Sequence, residues 1–227
     1  MVAVHLLENP SDAQIESITQ LLLRAHEGQL IVAMMSDSNR AIEEKWHRLG
    51  VRAGALEGKI WVVFDPDQSK ERGDEDSSIV SVVVAFGPGV MPMGSEAQRA
   101  LGLVDYLTSL SPENLQWRNQ TYSPLVEKSI DESIGQQKPV DSWLPILVAT
   151  DPEHQKRGYA TALIRELQKT ASADNTGVFL TTWNKDLESY YQYLGFEVAS
   201  QIEIPSPLRN WIHRNMLWED NSSLKAA

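Results

Sequence analysis

One segment constrains the fold of this chain more than any other: an apolar run that passes through a short polar turn into an amphipathic helix. The run covers Ser142–Thr150, and the polar turn Asp151–Tyr159 follows it. Apolar residues then recur at helical spacing, at Ala160, Leu163, Ile164, Leu167 and Ala171. A strand that leads directly into a helix predicts an α/β architecture.

The turn between strand and helix has the features of an anion-binding site. Unpaired backbone N–H groups and the positive end of the helix dipole point out of a helix N-terminus, so a pyrophosphate can dock there if no side chain blocks it. Gly158 removes the obstruction, and Ala160 keeps the first turn slim. Lys156 and Arg157 add positive charge. Spacing alone is equally consistent with an ordinary loop glycine and two solvated surface charges.

Residue patterns predict the other elements in order. Ser11–Gln14 is a capping box that begins a helix, with Gly28 ending it, and a second helix is predicted over Ala41–Leu49. A helical insertion of about 90–139, with Glu96–Leu110 as its clearest helix, precedes the apolar run. The remaining predicted elements are a helix at Lys185–Leu194 and strands at Val2–Leu7, Lys59–Phe64, Ile79–Phe86, Val178–Trp183, Phe196–Ile204 and Trp211–Trp218. Asp65–Ser78 is predicted to be a solvated polar loop.

Composition narrows the class of protein. A chain of 227 residues with 42% hydrophobic content is expected to form a single domain, 1–227. Its net charge of −11 argues against nucleic acid and anionic membranes as partners and favours cationic ones. Without cysteine it can hold neither a disulfide nor a thiolate zinc site. No basic leader and no apolar run of about 18 residues is present, so we expect a soluble, unprocessed, cytoplasmic protein.

Two motifs resemble the GNAT superfamily of N-acetyltransferases. Gln155–Ala160 matches its acetyl-CoA motif: Gln or Arg, two residues, Gly, one residue, then Gly or Ala. Tyr190–Phe196 resembles a second motif of that superfamily, which lies further along the chain. That motif is an aromatic residue, Tyr, any two residues, then Leu-Gly-Phe. Together the motifs cover about Trp143–Val198, a quarter of the chain, and the insertion lies outside them.

The resemblance implies a fold, a cosubstrate and a site. The implied fold is α/β, a mixed and mostly antiparallel central sheet flanked by helices and splayed beside the strand of Val148. Acetyl-CoA is the implied cosubstrate, and Tyr191 corresponds to the tyrosine that hydrogen-bonds to the departing sulfur. The cofactor-binding residues that the resemblance implies are Val148, Ala149, Thr150, Gln155, Lys156, Arg157, Gly158, Tyr159, Ala160 and Asn184.

Several of these residues have an ordinary structural alternative. Tyr191 lies on an apolar helical face and could simply pack in the core, while Asn184 precedes a helix and could be its N-cap. His154 is predicted to be a solvated loop residue whose cationic form could help to hold a phosphate. Arg209 and Trp211 are acceptor-site candidates because the family often uses this region for the acceptor. The other histidines lack metal-ligand spacing, so no metal is expected.

The expected reaction is transfer of an acetyl group to a primary amine of a small molecule, by direct attack on the thioester. The alternatives are acetylation of protein lysines or N-termini, and a non-catalytic module that binds acyl-CoA. The attacking amine must be neutral, so a general base is needed, but the motifs assign none. The acceptor is likewise unassigned, and both a monomer and a homodimer are compatible with the sequence.

Overall fold

The computed structural model describes residues 2–65 and 79–220, so most of the predicted polar loop lies outside the described residues. The chain divides into two compact units. The first comprises Met1–Phe86, Val90–Leu110 and Pro145–Glu166, and the second comprises Gly87–Gly89, Ser111–Leu144 and Leu167–Ala227. A single domain over 1–227 therefore remains a prediction.

A four-stranded sheet forms the centre of the first unit, in the order β1-β2-β3-β4. The pairs β1–β2 and β2–β3 are antiparallel. The strands are β1 His5–Leu6, β2 Lys59–Phe64, β3 Ile79–Phe86 and β4 Leu144–Thr150. The helices are α1 Asp12–Ala25, α2 Leu30–Ser36, α3 Arg40–Glu57, α4 Glu96–Ala100 and α5 Leu103–Ser109.

Helix α1 begins at the predicted capping box. The Ser11 hydroxyl accepts a hydrogen bond from the Gln14 N–H at 3.1 Å, and the Gln14 side chain accepts one from the Ser11 N–H at 2.9 Å. The helix ends at Ala25 with His26 as its C-cap, before the predicted end at Gly28. Its apolar face packs against the sheet in a buried core. In that core lie Ile18 and Leu22 of α1, together with Val62 of β2 and Val84 of β3.

The second unit contains a three-stranded antiparallel sheet in the order β5-β7-β6. Its strands are β5 Val178–Thr182, β6 Glu197–Ile204 and β7 Trp211–Trp218. Its helices are α6 Pro112–Trp117, α7 Ser123–Ser133, α8 Gln137–Val140 and α10 Lys185–Tyr193, with a π-helical turn at Arg118–Tyr122 between α6 and α7. Helix α9, Tyr159–Ala173, begins in the first unit and ends in the second.

The predicted mixed, mostly antiparallel architecture with flanking helices is confirmed, and four details differ from the prediction. The strands form two sheets, and Trp143, which immediately precedes β4, makes one isolated parallel bridge to Val178. Glu96–Leu110 is not one helix, because Gly102 adopts φ +131° and separates α4 from α5. The second predicted helix is longer than expected, and α2 was not predicted.

Across residues 2–65 and 79–220, no helix is both long and apolar enough to cross a membrane.

Candidate functional site

Strand β4 presents one edge to β3 and directs alternate backbone groups to the opposite edge. The Asp151 N–H donates to the Val80 carbonyl at 2.9 Å, and the Ala149 carbonyl accepts from the Ser81 hydroxyl at 2.9 Å. Because successive residues of a strand point their N–H and C=O groups to opposite sides, Val148 and Thr150 direct theirs away from β3. An extended ligand arm could pair with these groups as another strand would.

Two side chains already contact carbonyls at this outer edge of β4. Gln155 donates from Nε2 to the Thr150 carbonyl at 3.4 Å, which ties the following turn back to the strand. The His26 Nε2 lies 3.4 Å from the Val148 carbonyl. Side chains from the turn and from the end of α1 therefore both contact the outer edge of β4.

The polar turn consists of a short 3-10 helix and two left-handed residues. Pro152–His154 forms the 3-10 helix, and Asp151 caps it by accepting from the Glu153 N–H at 3.1 Å. Lys156 and Gly158 have φ of +62° and +82°. A Cβ built on Gly158 would meet no atom within 4 Å, so the space beside it is open and only the backbone conformation favours glycine there.

Helix α9 starts directly after this turn. Its first N–H groups have no partners within the helix, and its 15 residues give it a dipole whose positive end lies at Tyr159. The side chains of Lys156 and Arg157 are exposed, and Arg157 also donates to the Glu153 carbonyl at 3.2 Å. An open helix N-terminus with two cationic side chains is an arrangement that binds phosphate groups.

A polar network anchors the start of the turn to the rest of the first unit. Arg24 donates to Asp151 Oδ2 from Nε at 2.9 Å and from Nη2 at 2.7 Å. Burial alone would raise the pKa of Asp151, but the hydrogen bonds from Arg24 and the Glu153 N–H outweigh it and lower that pKa. The carboxylate therefore stays ionised and holds the turn.

His154 is a partner in this network, which corrects its prediction as a solvated loop residue. Its Nε2 lies 3.3 Å from Asp65 Oδ2, and its Nδ1 lies 3.7 Å from Asp151 Oδ1. The side chain is only 17% exposed. Two carboxylates thus surround the imidazole, so we assign it to the packing of the turn.

The sequence did not indicate a buried histidine pair beside Val148. The rings of His26 and His47 have centroids 5.1 Å apart, and His47 Nε2 lies 3.5 Å from Glu43 Oε1. Burial, followed by the nearby His47, lowers the pKa of His26 to about 4, so its imidazole is neutral near pH 7. The Glu43–His47 spacing of four residues was a readable helical pair, whereas its proximity to His26 comes from the packing of α1 on α3.

The second unit holds the other two predicted site residues. Tyr191 is 7% exposed and contacts the edge of Phe196, with ring centroids 5.5 Å apart. Burial raises the pKa of its phenol above the ordinary value, so the group is protonated near pH 7. Asn184 is the N-cap of α10 and accepts from the Asp186 N–H at 2.8 Å, as its structural alternative predicted.

The structure therefore brings the strand and turn residues, 148–160, together in the first unit, while Asn184 and Tyr191 lie in the second. The acceptor candidates Arg209 and Trp211 also lie in the second unit, the former exposed and the latter 7% exposed. The described residues include no group of three or more His, Cys, Asp or Glu side chains that could hold a metal ion.

Residues 127–198 match the family model described as "Acetyltransferase (GNAT) domain". This span contains all the predicted cofactor-binding residues and Tyr191. It also contains α9 and α10, so the sequence match and the geometry coincide on the same segment.

Solved structures with the same fold extend over nearly the whole chain. An arylalkylamine N-acetyltransferase like 5b from mosquito has a TM-score of 0.65 at 13% identity, covering 96% of this chain and 100% of that one. A protein from Corynebacterium glutamicum described as histone acetyltransferase HPA2 and related acetyltransferase has a TM-score of 0.60 at 17% identity, covering 96% and 97%. NAA60 from Arabidopsis thaliana, solved with acetyl-CoA, has a TM-score of 0.52 at 15% identity, covering 97% and 99%.

Proposed function

We propose that this chain, in which residues 127–198 match the GNAT acetyltransferase domain, transfers an acetyl group from acetyl-CoA to a primary amine of a small molecule. The observation that carries the proposal is the outer edge of β4 leading into a glycine turn at the N-terminus of α9. An extended pantetheine arm can pair with a strand edge, and a pyrophosphate can bind at an open helix N-terminus, so the two features in succession suit the two parts of acetyl-CoA.

The cofactor is assigned to residues of the first unit by their chemistry. Val148 and Thr150 would pair with the amides of the pantetheine arm, with Ala149 between them. Gly158 and the first N–H groups of α9, at Tyr159 and Ala160, would receive the pyrophosphate. Gln155 orients the turn, and Lys156 and Arg157 supply positive charge. Asn184 enters the proposal through the family motif, in addition to its role as an N-cap.

In the proposed reaction a neutral amine attacks the carbonyl carbon of the thioester. Negative charge then develops on the carbonyl oxygen, and a backbone N–H near Val148 would stabilise it. Such a donor typically contributes about 3 to 4 kcal/mol. The nitrogen then loses a proton to solvent, and the tetrahedral adduct collapses by breaking the C–S bond. The thiolate of CoA leaves and is protonated by solvent, so no covalent enzyme intermediate is required.

Tyr191 is assigned to the departing sulfur. A phenol of ordinary pKa is a weaker acid than a thiol, so complete proton transfer would be uphill by roughly 2 kcal/mol. The raised pKa of Tyr191 increases that cost. We therefore assign to Tyr191 a hydrogen bond to the developing thiolate, with the proton remaining on the phenol.

Acetylation of protein lysines or N-termini is the second candidate, because the Corynebacterium glutamicum protein described as histone acetyltransferase HPA2 and related acetyltransferase shares this fold. A panel of small amines and short peptides, assayed by thiol release, separates the two candidates. Turnover of peptides alone would contradict the small-molecule assignment.

The first experiment is calorimetric titration of the protein with acetyl-CoA, CoA and ATP, repeated on Gly158→Glu. The glutamate places a negative charge where the pyrophosphate is expected, so acetyl-CoA should bind at least about tenfold more weakly, a loss of about 1.4 kcal/mol. Gly89→Glu is the matched control. Gly89 has the same φ of +82°, and its Cβ likewise would meet nothing within 4 Å, so both variants carry the same backbone strain.

Selective binding of acetyl-CoA by the wild type and the Gly89 variant, with loss only in the Gly158 variant, supports the site. Circular dichroism verifies that both variants are folded. If the wild type does not bind acetyl-CoA, the proposed function is wrong. If both glutamate variants bind as the wild type does, the cofactor does not occupy the turn.

A further inference from the structure

Strand β3 carries a single hydroxyl side chain in an otherwise apolar sequence. All eight residues of the strand are buried, and every one except Ser81 is apolar. Ser81 is fully buried, at 0% exposed. A buried hydroxyl is unfavourable unless it is hydrogen-bonded, so a serine at this position needs partners. Its two side-chain hydrogen-bond partners lie at the end of β4, next to the turn proposed for the cofactor.

The number of protons on each hydroxyl fixes the direction of these hydrogen bonds. The Ser81 hydroxyl donates to the Ala149 carbonyl at 2.9 Å, and Ser81 Oγ lies 2.8 Å from Thr150 Oγ1. A hydroxyl has one proton to donate, and Ser81 donates its proton to the carbonyl. The Thr150 hydroxyl is therefore the donor to Ser81 Oγ. The result is a directed chain that runs from Thr150 through Ser81 to the Ala149 carbonyl.

This chain ends on the peptide group that carries the Thr150 N–H. The Ala149 carbonyl and the Thr150 N–H belong to one planar trans peptide, so they point in opposite directions. Because the carbonyl is directed to β3, the N–H is directed to the outer edge of β4, the last strand of its sheet. Hydrogen bonds in a chain polarise one another, so the bond from Ser81 makes the Thr150 N–H a stronger donor.

The backbone around Thr150 is also held by its neighbours. The Asp151 N–H donates to the Val80 carbonyl at 2.9 Å, so β3 contacts the residues on both sides of Thr150. Gln155 Nε2 donates to the Thr150 carbonyl at 3.4 Å. The Thr150 N–H is therefore presented to the outer edge of β4 in a fixed orientation.

We propose that Ser81 is a positioning residue for acetyl-CoA, which orients and strengthens the Thr150 N–H as the donor to a carbonyl oxygen of the pantetheine arm. The inference rests on the proposed function and deepens it. Ser81 is fully buried, so it acts through the peptide between Ala149 and Thr150 and not by touching the cofactor. Acetyl-CoA and CoA share the pantetheine arm, so the contribution of Ser81 should be equal for both and absent for a nucleotide without the arm.

Ser81→Thr and Ser81→Val form a matched pair for the test. Both add a methyl group of the same size to a packed position, but only threonine keeps the hydroxyl. In calorimetric titrations, we expect the Kd of acetyl-CoA and that of CoA to be at least about threefold higher in Ser81→Val than in Ser81→Thr. The Kd of 3′-phosphoadenosine 5′-diphosphate, which is CoA without its pantetheine arm, should be equal in the two variants.

The rate of the chemical step gives a second readout. The hydrogen bond to the arm is present both in the bound ground state and in the transition state, so kcat at saturating acetyl-CoA should be equal in Ser81→Thr and Ser81→Val. If neither variant folds, Ser81→Ala removes the same oxygen without adding volume. It should then show the same pattern relative to the wild type.

Ser129→Thr and Ser129→Val are the control pair. Ser129 is a buried serine of the second unit, and its hydroxyl likewise pairs with another hydroxyl, that of Ser200, at 2.8 Å. The two Ser129 variants should bind acetyl-CoA and CoA equally. A difference between them as large as that between the Ser81 variants would show that loss of any buried hydroxyl weakens binding, which overturns the inference.

Equal Kd values for CoA in Ser81→Thr and Ser81→Val also overturn the inference, as does an equal weakening of the nucleotide, which would mean that Ser81 supports only the fold. Failure of the inference is separable from failure of the proposed function. If the wild type binds acetyl-CoA and turns over amines while the Ser81 pair binds alike, only the role of Ser81 is wrong. If the wild type binds neither acetyl-CoA nor CoA, the proposed function is wrong and the inference fails with it.

Discussion

At the scale of single residues, Tyr191 illustrates how one environment suits two roles. Its burial and its contact with Phe196 are those of a core residue. The same burial raises its pKa, which keeps the phenol protonated and able to donate a hydrogen bond. Packing in the core needs only the ring of Tyr191, whereas a hydrogen bond to the departing sulfur also needs its hydroxyl.

Removing only the hydroxyl separates these roles. We predict that Tyr191→Phe lowers kcat by roughly tenfold to a hundredfold, because a hydrogen bond to a charged group contributes about 1.5 to 3 kcal/mol. The Kd for acetyl-CoA should be unchanged, since the bond forms as the sulfur acquires charge. Thiol-release kinetics and calorimetry measure the two quantities.

Tyr193→Phe is the control for this change. Tyr193 lies on the same helix, is 76% exposed, and should lose its hydroxyl without effect on kcat. An unchanged kcat in Tyr191→Phe would mean that Tyr191 serves packing alone.

At the scale of elements, helix α3 approaches strand β3 closely at Gly54. A Cβ built on Gly54 would lie 2.2 Å from Val84 Cγ1, and Val84 is fully buried. Glycine in a helix interior is intrinsically unfavourable by about 1 kcal/mol relative to alanine. Here it lets the helix approach the sheet.

We predict that Gly54→Ala lowers the free energy of unfolding by about 1 to 3 kcal/mol, because overpacking at a buried contact outweighs the gain in helix propensity. Urea denaturation measures it. The matched test is the double variant Gly54→Ala/Val84→Ala, in which the clashing methyl is absent. Its loss should be smaller than the sum of the two single losses by at least about 1 kcal/mol. Additive losses would contradict the close-packing explanation.

The sequence predicted individual helices and strands well where the signal for each lies in neighbouring residues. The capping box at Ser11 and the strands β2, β3 and β7 occur where their patterns placed them. The pattern failed where backbone geometry overrode periodicity. Gly102 breaks a helix that periodicity predicted to be continuous. Helix α2 begins at Leu30, and the side chain of its N-cap, Gln29, makes no capping hydrogen bond that could have marked it. Neither feature is visible in the spacing of apolar residues.

At the scale of the whole molecule, the sequence predicted those parts of the candidate site whose residues are contiguous in the chain. The turn proposed for the cofactor is contiguous in the chain, so a motif could point to it. Contacts between distant segments could not be read, such as His26 with Val148, or Tyr122 with His213. These contacts depend on tertiary packing, and the sequence supplies no period or motif that relates residues so far apart.

Buried neutral histidines also determine how the whole molecule responds to acid. Burial lowers the pKa of His213 to about 4, against the opposing effect of the Asn215 side chain, whereas the unfolded chain binds a proton near pH 6.5. Between these values the unfolded state binds more protons than the folded state. The contribution of His213 to stability is therefore complete above about pH 6.5 and is lost as the pH falls towards 4.

We predict that the wild type loses about 2 kcal/mol more stability between pH 7 and pH 5 than His213→Asn does, because the variant lacks this titration. Urea unfolding at the two pH values measures the difference, and any uniform loss caused by the substitution cancels in it. His26 is present in both proteins, so its contribution cancels as well. An equal loss in the wild type and His213→Asn would show that His213 is not held neutral in the fold.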